Sequence, residues 1–392
     1  MRRAILLAGG ALVAGVFVMA RSGDSNPGSD KPAAMIQGAP LVAEAPKPPA
    51  APPKLLLDRM ELVGDHYEAP QSDGSRVRLT LDPVLQKQAE KLLDQSRAPR
   101  GAIVAMAPDG RILAIAGRRT EEPKGSTKGV RDLDLATTAW APSASVFKLV
   151  TASALVEAGV DPDDKVCYHG GIRSVTESNL VDDRRDNNCN SLLYGVAHSN
   201  NAILGKFAYQ KLDPSKLDSL AHDILGTTAE LSLPHDKNLA FAQAAAGFHD
   251  VKLSAMGGAL LAATFADGGQ QPVPHLVADD APAAKPLLPA EVAKAVRRMM
   301  VGTCEFGSAA KSFGRRRSYT VAGKTGTLTT HEPFYMENSW FVGFAPVDKP
   351  EIIVSVILGN PESWHLRGHE AARKLIDRAI RREPEHPRTA HK

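Results

Sequence analysis

The chain has 392 residues, of which 43% are hydrophobic and 23% charged, and its formal net charge is +3. These proportions are ordinary for a globular protein, and the length is sufficient for one large catalytic domain or for two or three average domains. The Arg- and His-rich tail after Arg381 contributes +1 of this charge, with Arg382, Arg388 and Lys392 against Glu383 and Glu385. The composition therefore indicates no basic groove, and we expect no nucleic-acid partner.

The N-terminus resembles an export signal. Arg2 and Arg3 precede an uncharged run over residues 4–20, and Arg21 follows it. Such a run is just long enough to span a bilayer as a helix, and it also matches a long signal-peptide core. The positive flank favours an N-terminus inside the cell and the remaining chain outside. Residues 1–21 are therefore predicted to be a signal anchor or a cleaved signal peptide, and the anchor is favoured.

A segment rich in Pro, Ala, Gly and Ser follows, over residues 22–54. Because this composition cannot bury a core, we expect a disordered, extended tether. Folded sequence is predicted over residues 55–381 as one domain. The last residues, 382–392, are predicted to be a disordered basic tail.

The order of predicted elements favours an α+β fold. Asp82-Pro83 is typical of a capped helix start, and a Pro-Asp-Gly turn over residues 108–110 indicates a β-hairpin between residues 102–107 and 111–116. Early strands, central helices and late strands together indicate one antiparallel sheet with helices against it. The remaining predicted elements are helices at 145–158, 199–212, 253–266 and 370–380, and strands at 76–81, 319–322, 340–344 and 352–358.

The three cysteines do not form a C-x-x-C pair. In an exported protein Cys167 and Cys189 are candidates for a disulfide, and Cys304 is expected to be a buried thiol. His169 lies on the polar segment between the first two cysteines, where we expect a structural role. Compact metal-ligand spacing is lacking, so no metal and no other cofactor is predicted.

Three short motifs occur in one order: Ser145-Val-Phe-Lys148, Ser199-Asn-Asn201 and Lys324-Thr-Gly-Thr327. A serine hydroxyl needs an adjacent base to become a nucleophile, and a lysine three residues later on a helix lies on the same face. A lysine is a base only when its pKa is lowered. Burial and a second cation, for which Lys324 is the candidate, would both lower the pKa of Lys148.

The other motif residues suit the binding of a peptide that ends in a carboxylate. Ser199 and Asn201 are expected to begin a helix, where the serine can relay a proton and the amide can bind substrate backbone. A glycine on a strand edge permits close approach of that backbone, while a lysine and two hydroxyls can hold a carboxylate. The predicted catalytic residues are Ser145, Lys148 and Ser199, and the predicted substrate-binding residues are Asn201, Lys324, Thr325, Gly326 and Thr327.

A second S-x-x-K motif, Ser308-Ala-Ala-Lys311, is interpreted as a coincidence. Its lysine precedes Lys324 by thirteen residues, with no S-x-N motif between them. Each of the three main motifs alone is typical of a helix cap or a strand end, and only their order makes the combination specific.

The chain resembles the penicillin-binding transpeptidase family over residues 77–380. Its motifs match the S-x-x-K, S-x-N and K-T-G set of penicillin-binding proteins and serine β-lactamases, and Trp340-Phe-Val-Gly-Phe-Ala-Pro346 is a further specific match. The resemblance implies a β-lactamase/transpeptidase-like fold, in which an antiparallel sheet has flanking helices and a helical subdomain. Val146, Leu149 and His249 depart from the family pattern, and the last is expected to change a wall of the cleft.

The resemblance also implies the role of each residue. Ser145 is the acylated nucleophile, Lys148 its base, and the N–H groups of Ser145 and Thr327 form the oxyanion hole. The implied function is a D,D-transpeptidase that cross-links peptidoglycan stem peptides and is inhibited by β-lactams. Its implied location is the bacterial inner membrane, with one span, a periplasmic catalytic domain and a glycan polymerase as a candidate partner.

Three alternatives remain open. A D,D-carboxypeptidase would differ only in using water as the acceptor. A sensor of β-lactams or cell wall would bind without turnover. A serine β-lactamase is disfavoured, because the chain lacks the E-x-x-L-N glutamate of class A enzymes and has Asn201 where class D enzymes have valine.

Overall fold

The computed structural model describes residues 53–120, 129–171, 173–248, 251–279, 282–314 and 318–381. The predicted anchor, nearly all of the predicted tether, the basic tail and His249 lie outside these ranges. Among the helices within the ranges, none has the length and hydropathy needed to cross a bilayer.

The strands, in chain order, are β1 (Glu61–Val63), β2 (His66–Pro70), β3 (Arg76–Arg78), β4 (Arg100–Met106), β5 (Ile112–Arg119), β6 (Val130–Arg131), β7 (Ala141–Pro142), β8 (Lys165–Tyr168), β9 (Asn188–Ser191), β10 (Ala229–Leu231), β11 (Val251–Leu253), β12 (Gln270–Gln271), β13 (Lys285–Pro286), β14 (Ala322–Thr330), β15 (Met336–Ala345) and β16 (Ile352–Asn360). The α-helices are α1 (Pro83–Ser96), α2 (Asp134–Thr137), α3 (Lys148–Glu157), α4 (Leu192–Ala197), α5 (Asn201–Lys211), α6 (Pro214–Leu225), α7 (Leu239–Ala245), α8 (Ala255–Ala266), α9 (Ala290–Glu305), α10 (Ala310–Phe313) and α11 (Gly368–Ile380). Short 3₁₀ turns occur at Leu57–Arg59, Ala144–Val146, Glu177–Asn179 and Gly226–Thr228.

The main sheet joins strands from both ends of the folded chain. Its six strands are antiparallel and lie in the order β14-β15-β16-β4-β5-β6. The early hairpin β4–β5 is thus paired with the late strand β16, where Ile103 lies opposite Val356. The predicted α+β fold with an antiparallel sheet is confirmed, and β14 forms one edge of that sheet.

Helices cover both faces of this sheet. All residues of β16 are buried, which explains why its sequence is a continuous apolar run rather than an alternation. The helix α8 packs against β15 and β16 on one face, while α1 and α11 pack on the other. Every residue of α8 is buried, as expected for a helix that is apolar all round.

A second group of helices packs beside α8 and holds the first two motifs. Within it α3 packs against α5, α6 and α9, and α4 packs against α5 and α9. The helix α9 also lies against β14, so it connects this group to the edge of the sheet. Neither α6 nor α9 is among the helices predicted from the sequence, although Asp213-Pro214 is a cap signal like the one that starts α1.

Some predicted boundaries are wrong, for local reasons. The predicted strand at 319–322 begins at Ala322 and continues to Thr330, so the third motif lies inside a strand. The predicted strand at 76–81 ends at Arg78; the next residue, Leu79, still donates its N–H to the carbonyl of Tyr67 on β2 at 2.8 Å and also forms a bridge with Val277. The cap at the start of α1 is confirmed, since the Asp82 carboxylate accepts two backbone N–H groups of the first turn at 2.9 and 3.0 Å.

The polar segment between the first two motifs forms the short hairpin β8–β9. Cys167 lies directly opposite Cys189 in this hairpin, and their sulfur atoms are 1.94 Å apart in a disulfide. Cys304 is a free thiol on α9, and its burial raises its pKa. His169 lies at the end of β8, with its Nδ1 2.6 Å from a carboxylate oxygen of Asp186 and its Nε2 3.1 Å from the hydroxyl of Ser178.

Candidate active site

Ser145 lies in the 3₁₀ turn that leads into α3. The predicted single helix over 145–158 is therefore divided, with the serine in the tight turn and Lys148 at the start of the α-helix. Ala144 has a φ of +49°, a conformation that non-glycine residues adopt only when the surroundings enforce it. Gly247 supplies part of that enforcement, because its missing Cβ would lie 2.2 Å from the carbonyl oxygen of Ala144.

The two departures from the family pattern beside the nucleophile do not face the cleft. Val146 and Leu149 are both fully buried in the main hydrophobic core. They fix the turn and the first turn of α3 by packing.

Lys148 is fully buried, and its Nζ contacts three oxygen atoms. It lies 2.8 Å from the Ser145 hydroxyl oxygen and 2.7 Å from the Asn201 amide oxygen, and it donates to the carbonyl oxygen of Ala246. Burial, and secondarily the charge of Lys324, hold the pKa of Lys148 well below its ordinary value. A neutral amine has two N–H groups and one lone pair, so it can donate to the two carbonyl oxygens and accept from the hydroxyl.

The second motif lies where α4 passes into α5. The predicted helix start at Ser199 is wrong, because α5 begins at Asn201 and Asn200 caps it by accepting the N–H of Ile203 at 3.1 Å. Ser199 has a φ of +58°, in the left-handed region. Because Asn200 caps the helix, the side chains of Ser199 and Asn201 are available to line the cleft.

The third motif lies on the edge strand β14. Lys324 is fully buried, and its Nζ donates to the Ser199 hydroxyl and to the carbonyl of Thr325, both at 2.9 Å. Burial lowers the pKa of Lys324 to about 7. Gly326 lies beside the nucleophile turn, where a Cβ would be 3.3 Å from the Ser145 nitrogen.

The sheet and the turn that carries Ser145 are held together by hydrogen bonds. Trp340 on β15 is opposite Gly326, and its indole N–H donates to the carbonyl of Pro142 at 2.8 Å. The same segment pairs through β7 with β11. These contacts fix the distance between the serine and the third motif.

The three motifs line one cleft with a volume of about 510 Å³. The structure thus brings together all predicted site residues, with the two lysines buried beneath its floor. The lining residues are Ser145, Arg173, Ser199, Asn201, Ala246, Gly247, Phe248, Ser308, Thr325, Gly326, Thr327, Leu328 and Thr329.

Three polar residues of this cleft, Arg173, Ser308 and Thr329, are not among the site residues predicted from the sequence. Ser308, interpreted as part of a coincidental motif, has its hydroxyl 2.6 Å from that of Thr325. Lys311 is exposed on α10 and does not line the cleft, so the second S-x-x-K pairs no base with its serine. Arg173 had no signal in the sequence, because the cleft is closed there by a segment distant in the chain.

Comparisons with known proteins agree with this geometry. A family model described as "Penicillin binding protein transpeptidase domain" matches residues 101–380. The chain is 26% identical to "Stage V sporulation protein D" of Bacillus subtilis, covering 81% of this chain and 54% of that protein. It is 25% identical to "Probable peptidoglycan D,D-transpeptidase PenA" of Neisseria flavescens, covering 78% of this chain and 82% of that protein.

Solved structures show the same fold. The crystal structure of PBPA from Mycobacterium tuberculosis superposes with a TM-score of 0.63 at 21% identity, covering 78% of this chain and 82% of that one. The imipenem acyl-enzyme complex of M. tuberculosis penicillin-binding protein A superposes with a TM-score of 0.64 at 21% identity, covering 78% of this chain and 79% of that one. Since the family model covers well over half of the sequence, and the three motifs meet in one cleft, the chain belongs to the penicillin-binding protein transpeptidase family.

Proposed function

We propose that this chain is a D,D-transpeptidase that cross-links peptidoglycan stem peptides through an acyl-enzyme on Ser145. The observation that carries the proposal is the set of contacts around Lys148: its buried Nζ has two carbonyl acceptors and one hydroxyl, the nucleophile's own, at 2.8 Å. This arrangement suits a neutral amine that accepts the serine proton.

Acylation would proceed as follows. Lys148 accepts the proton of Ser145 while the serine oxygen attacks the carbonyl of the penultimate D-alanine. The N–H groups of Ser145 and Thr327 stabilise the developing oxyanion. As the intermediate collapses, Lys148 passes that proton to the amine of the terminal D-alanine, for which the Ser199 hydroxyl, hydrogen-bonded to Lys324, offers a relay; D-alanine departs and Lys148 is neutral again.

Deacylation repeats these steps in reverse with a different partner. The amine of a second stem peptide attacks the ester carbonyl, loses a proton to Lys148, and releases Ser145 with a new amide bond formed. A β-lactam that acylates the same serine keeps its leaving amine tethered in the cleft. The adduct is therefore expected to persist.

The edge strand suits the donor peptide. One side of β14 pairs with β15, and the other faces the cleft, where an extended peptide can add as a further strand. The terminal carboxylate would then be held by Lys324, Thr325 and Thr327, while the Asn201 amide binds the peptide backbone.

A D,D-carboxypeptidase is the second candidate. It would use the same acylation machinery, and only the acceptor would differ. A sensor that is acylated without turnover is the third candidate. The contacts of Lys148 would serve acylation in all three candidates, so the fate of the acyl-enzyme distinguishes them.

We further propose that residues 1–21 anchor the protein in the bacterial inner membrane, with the catalytic domain in the periplasm. Peptidoglycan is assembled there, and a single span would keep the cleft close to nascent strands. A glycan polymerase in the same membrane is the proposed partner, because it would supply the strands that are cross-linked.

Labelling by a fluorescent penicillin tests the nucleophile and its base. Ser145→Ala should abolish the labelled band, and Lys148→Ala should slow its formation at least about a hundredfold, since a general base is lost. Ser308→Ala should retain labelling at a reduced rate, because Thr325 loses a hydrogen-bond partner. Lys311→Ala is the matched control and should label normally. A band that survives Ser145→Ala would refute the assignment.

The pH profile of penicillin acylation tests the two lysines. The rate should rise as pH increases through the lowered pKa of Lys148, because only the neutral amine accepts a proton. It should fall above pH about 7, because Lys324 then loses the charge that binds the carboxylate.

Lys324→Gln should change both limbs of that profile. Removing the cation raises the pKa of Lys148, so the rising limb moves to higher pH, and the falling limb disappears. Lys311→Gln should leave both limbs in place. A rising limb unmoved by Lys324→Gln would contradict the coupling.

Mass spectrometry of the products identifies the acceptor. With a defined pentapeptide and an amine acceptor, a transpeptidase should give the cross-linked amide together with free D-alanine. If only the hydrolysed tetrapeptide and D-alanine form, and no amide with the amine acceptor, the protein is a carboxypeptidase instead. Ser145→Ala is the blank for both products.

A reporter fusion tests the anchor. Alkaline phosphatase fused after Lys54 should be active and should sediment with membranes, because the Arg2-Arg3 flank holds the N-terminus inside. Replacing both arginines by glutamate should reduce this activity. An inactive, soluble cytoplasmic fusion would refute the proposal.

A further inference from the structure

Arg173 is the one charged side chain among the described residues that line the catalytic cleft. It is exposed, and it makes no ion pair or hydrogen bond with any described residue. The roles proposed for the three motifs leave this guanidinium unused. An unpaired cation at the wall of a peptide-binding cleft therefore calls for a ligand of its own.

The backbone on both sides of Arg173 is fixed to the helices of the site. The carbonyl of Gly171 accepts the N–H of Ala202, the second residue of α5, at 2.9 Å. The carbonyl of Val175 accepts the side-chain amide of Gln243 on α7 at 2.9 Å, and the Val175 side chain is buried. Arg173 thus lies between two backbone positions that are tied, respectively, to the start of α5 next to Asn201 and to α7.

The hairpin β8–β9 supports the segment that carries Arg173. The disulfide closes the hairpin, and the buried Nζ of Lys206 on α5 donates to the carbonyl of Cys167 at 2.8 Å and to Asp186 at 2.7 Å. The amide of Asn179 donates to the carbonyl of His169 at 2.7 Å. Disulfide, ion pair and amide together hold the segment on the helix that begins with Asn201.

The position of Arg173 suits the part of the donor ahead of D-Ala-D-Ala. The terminal carboxylate would occupy Lys324, Thr325 and Thr327, so it does not need the arginine. A donor that extends along β14 would pass Thr327 and Thr329, which line the same cleft as Arg173. Guanidinium groups bind carboxylates through two parallel N–H groups.

On the basis of the proposed function, we propose that Arg173 selects donor stem peptides that carry a free carboxylate ahead of the D-Ala-D-Ala terminus. Two groups offer this chemistry: the side-chain carboxylate of a diaminopimelic acid at the third position, and the α-carboxylate of the γ-linked D-glutamate at the second. A lysine at the third position, or an amide on the glutamate, removes one or the other.

Four pentapeptide donors separate these sources, with lysine or diaminopimelate at position three and glutamate or its amide at position two. For the full-length protein in detergent, Arg173→Ala should lower kcat/KM for D-alanine release about tenfold for donors with the recognised carboxylate. It should leave unchanged the donor that lacks both carboxylates. Arg173→Lys should retain part of the preference, and Arg184→Ala, on the same segment but outside the cleft, should retain all of it.

Equal loss for all four donors, or no loss for any, would overturn the proposal. A pair of penicillins keeps the test independent of turnover: carbenicillin and benzylpenicillin differ by one side-chain carboxylate. The ratio of their acylation rates should fall severalfold in Arg173→Ala. If wild-type protein releases no D-alanine but this ratio still falls, the transpeptidase proposal fails and the role of Arg173 stands; an unchanged ratio overturns that role.

Discussion

Two lysine side chains lie buried side by side beneath the cleft, with no carboxylate paired to either among the described residues. Burial of an ammonium group is costly, and the second cation raises the cost, so the pair is most stable when one amine gives up its proton. The rest of the site follows from that constraint. Oxygen acceptors surround Lys148, the serine hydroxyl supplies the one proton its lone pair can accept, and Lys324 keeps its contact to Ser199.

A third buried lysine, Lys206, has a raised rather than a lowered pKa. Lys206 is equally buried, and burial lowers its pKa, but hydrogen bonds and charges from Asp186 and Asp182 raise it by more. This lysine therefore stays charged and serves as a brace for the hairpin. Lys206 differs from the two lysines beneath the cleft because carboxylates lie within 3 Å of its amine and stabilise its charged form.

The sequence was sufficient for the residues whose chemistry is local. The Asp82 cap, the β4–β5 hairpin and the three motifs are each encoded within a few neighbouring residues. The long helix α9 was missed although it carries an apolar face, with Val292, Val296, Met299 and Met300 buried. The turn at Ala144 was also missed, because its positive φ depends on tertiary packing that includes Gly247, about a hundred residues away in the chain.

Cleft walls were beyond sequence reasoning for a related reason. No sequence pattern marks Ser308 or Arg173 as a site residue. Each becomes part of the cleft only because the fold brings it next to a strand or helix from a distant part of the chain. Ser308 even belonged to a motif that pointed to the wrong chemistry. Patterns identify the groups that react, whereas the groups that select a substrate emerge from packing between distant segments.

The strand β14 lies at an edge of the main sheet, and such an edge can pair with strands of other proteins. Unpaired strand edges recruit strands from other proteins, and a buried apolar sheet such as this one is a template for aggregation if its edge is bare. Here residues 325–329 of that edge line a cleft of about 510 Å³, a size typical of small-ligand sites. A cleft of that size has room for one short extended chain but not for the edge of another folded sheet, so its walls also limit association with other proteins through β14.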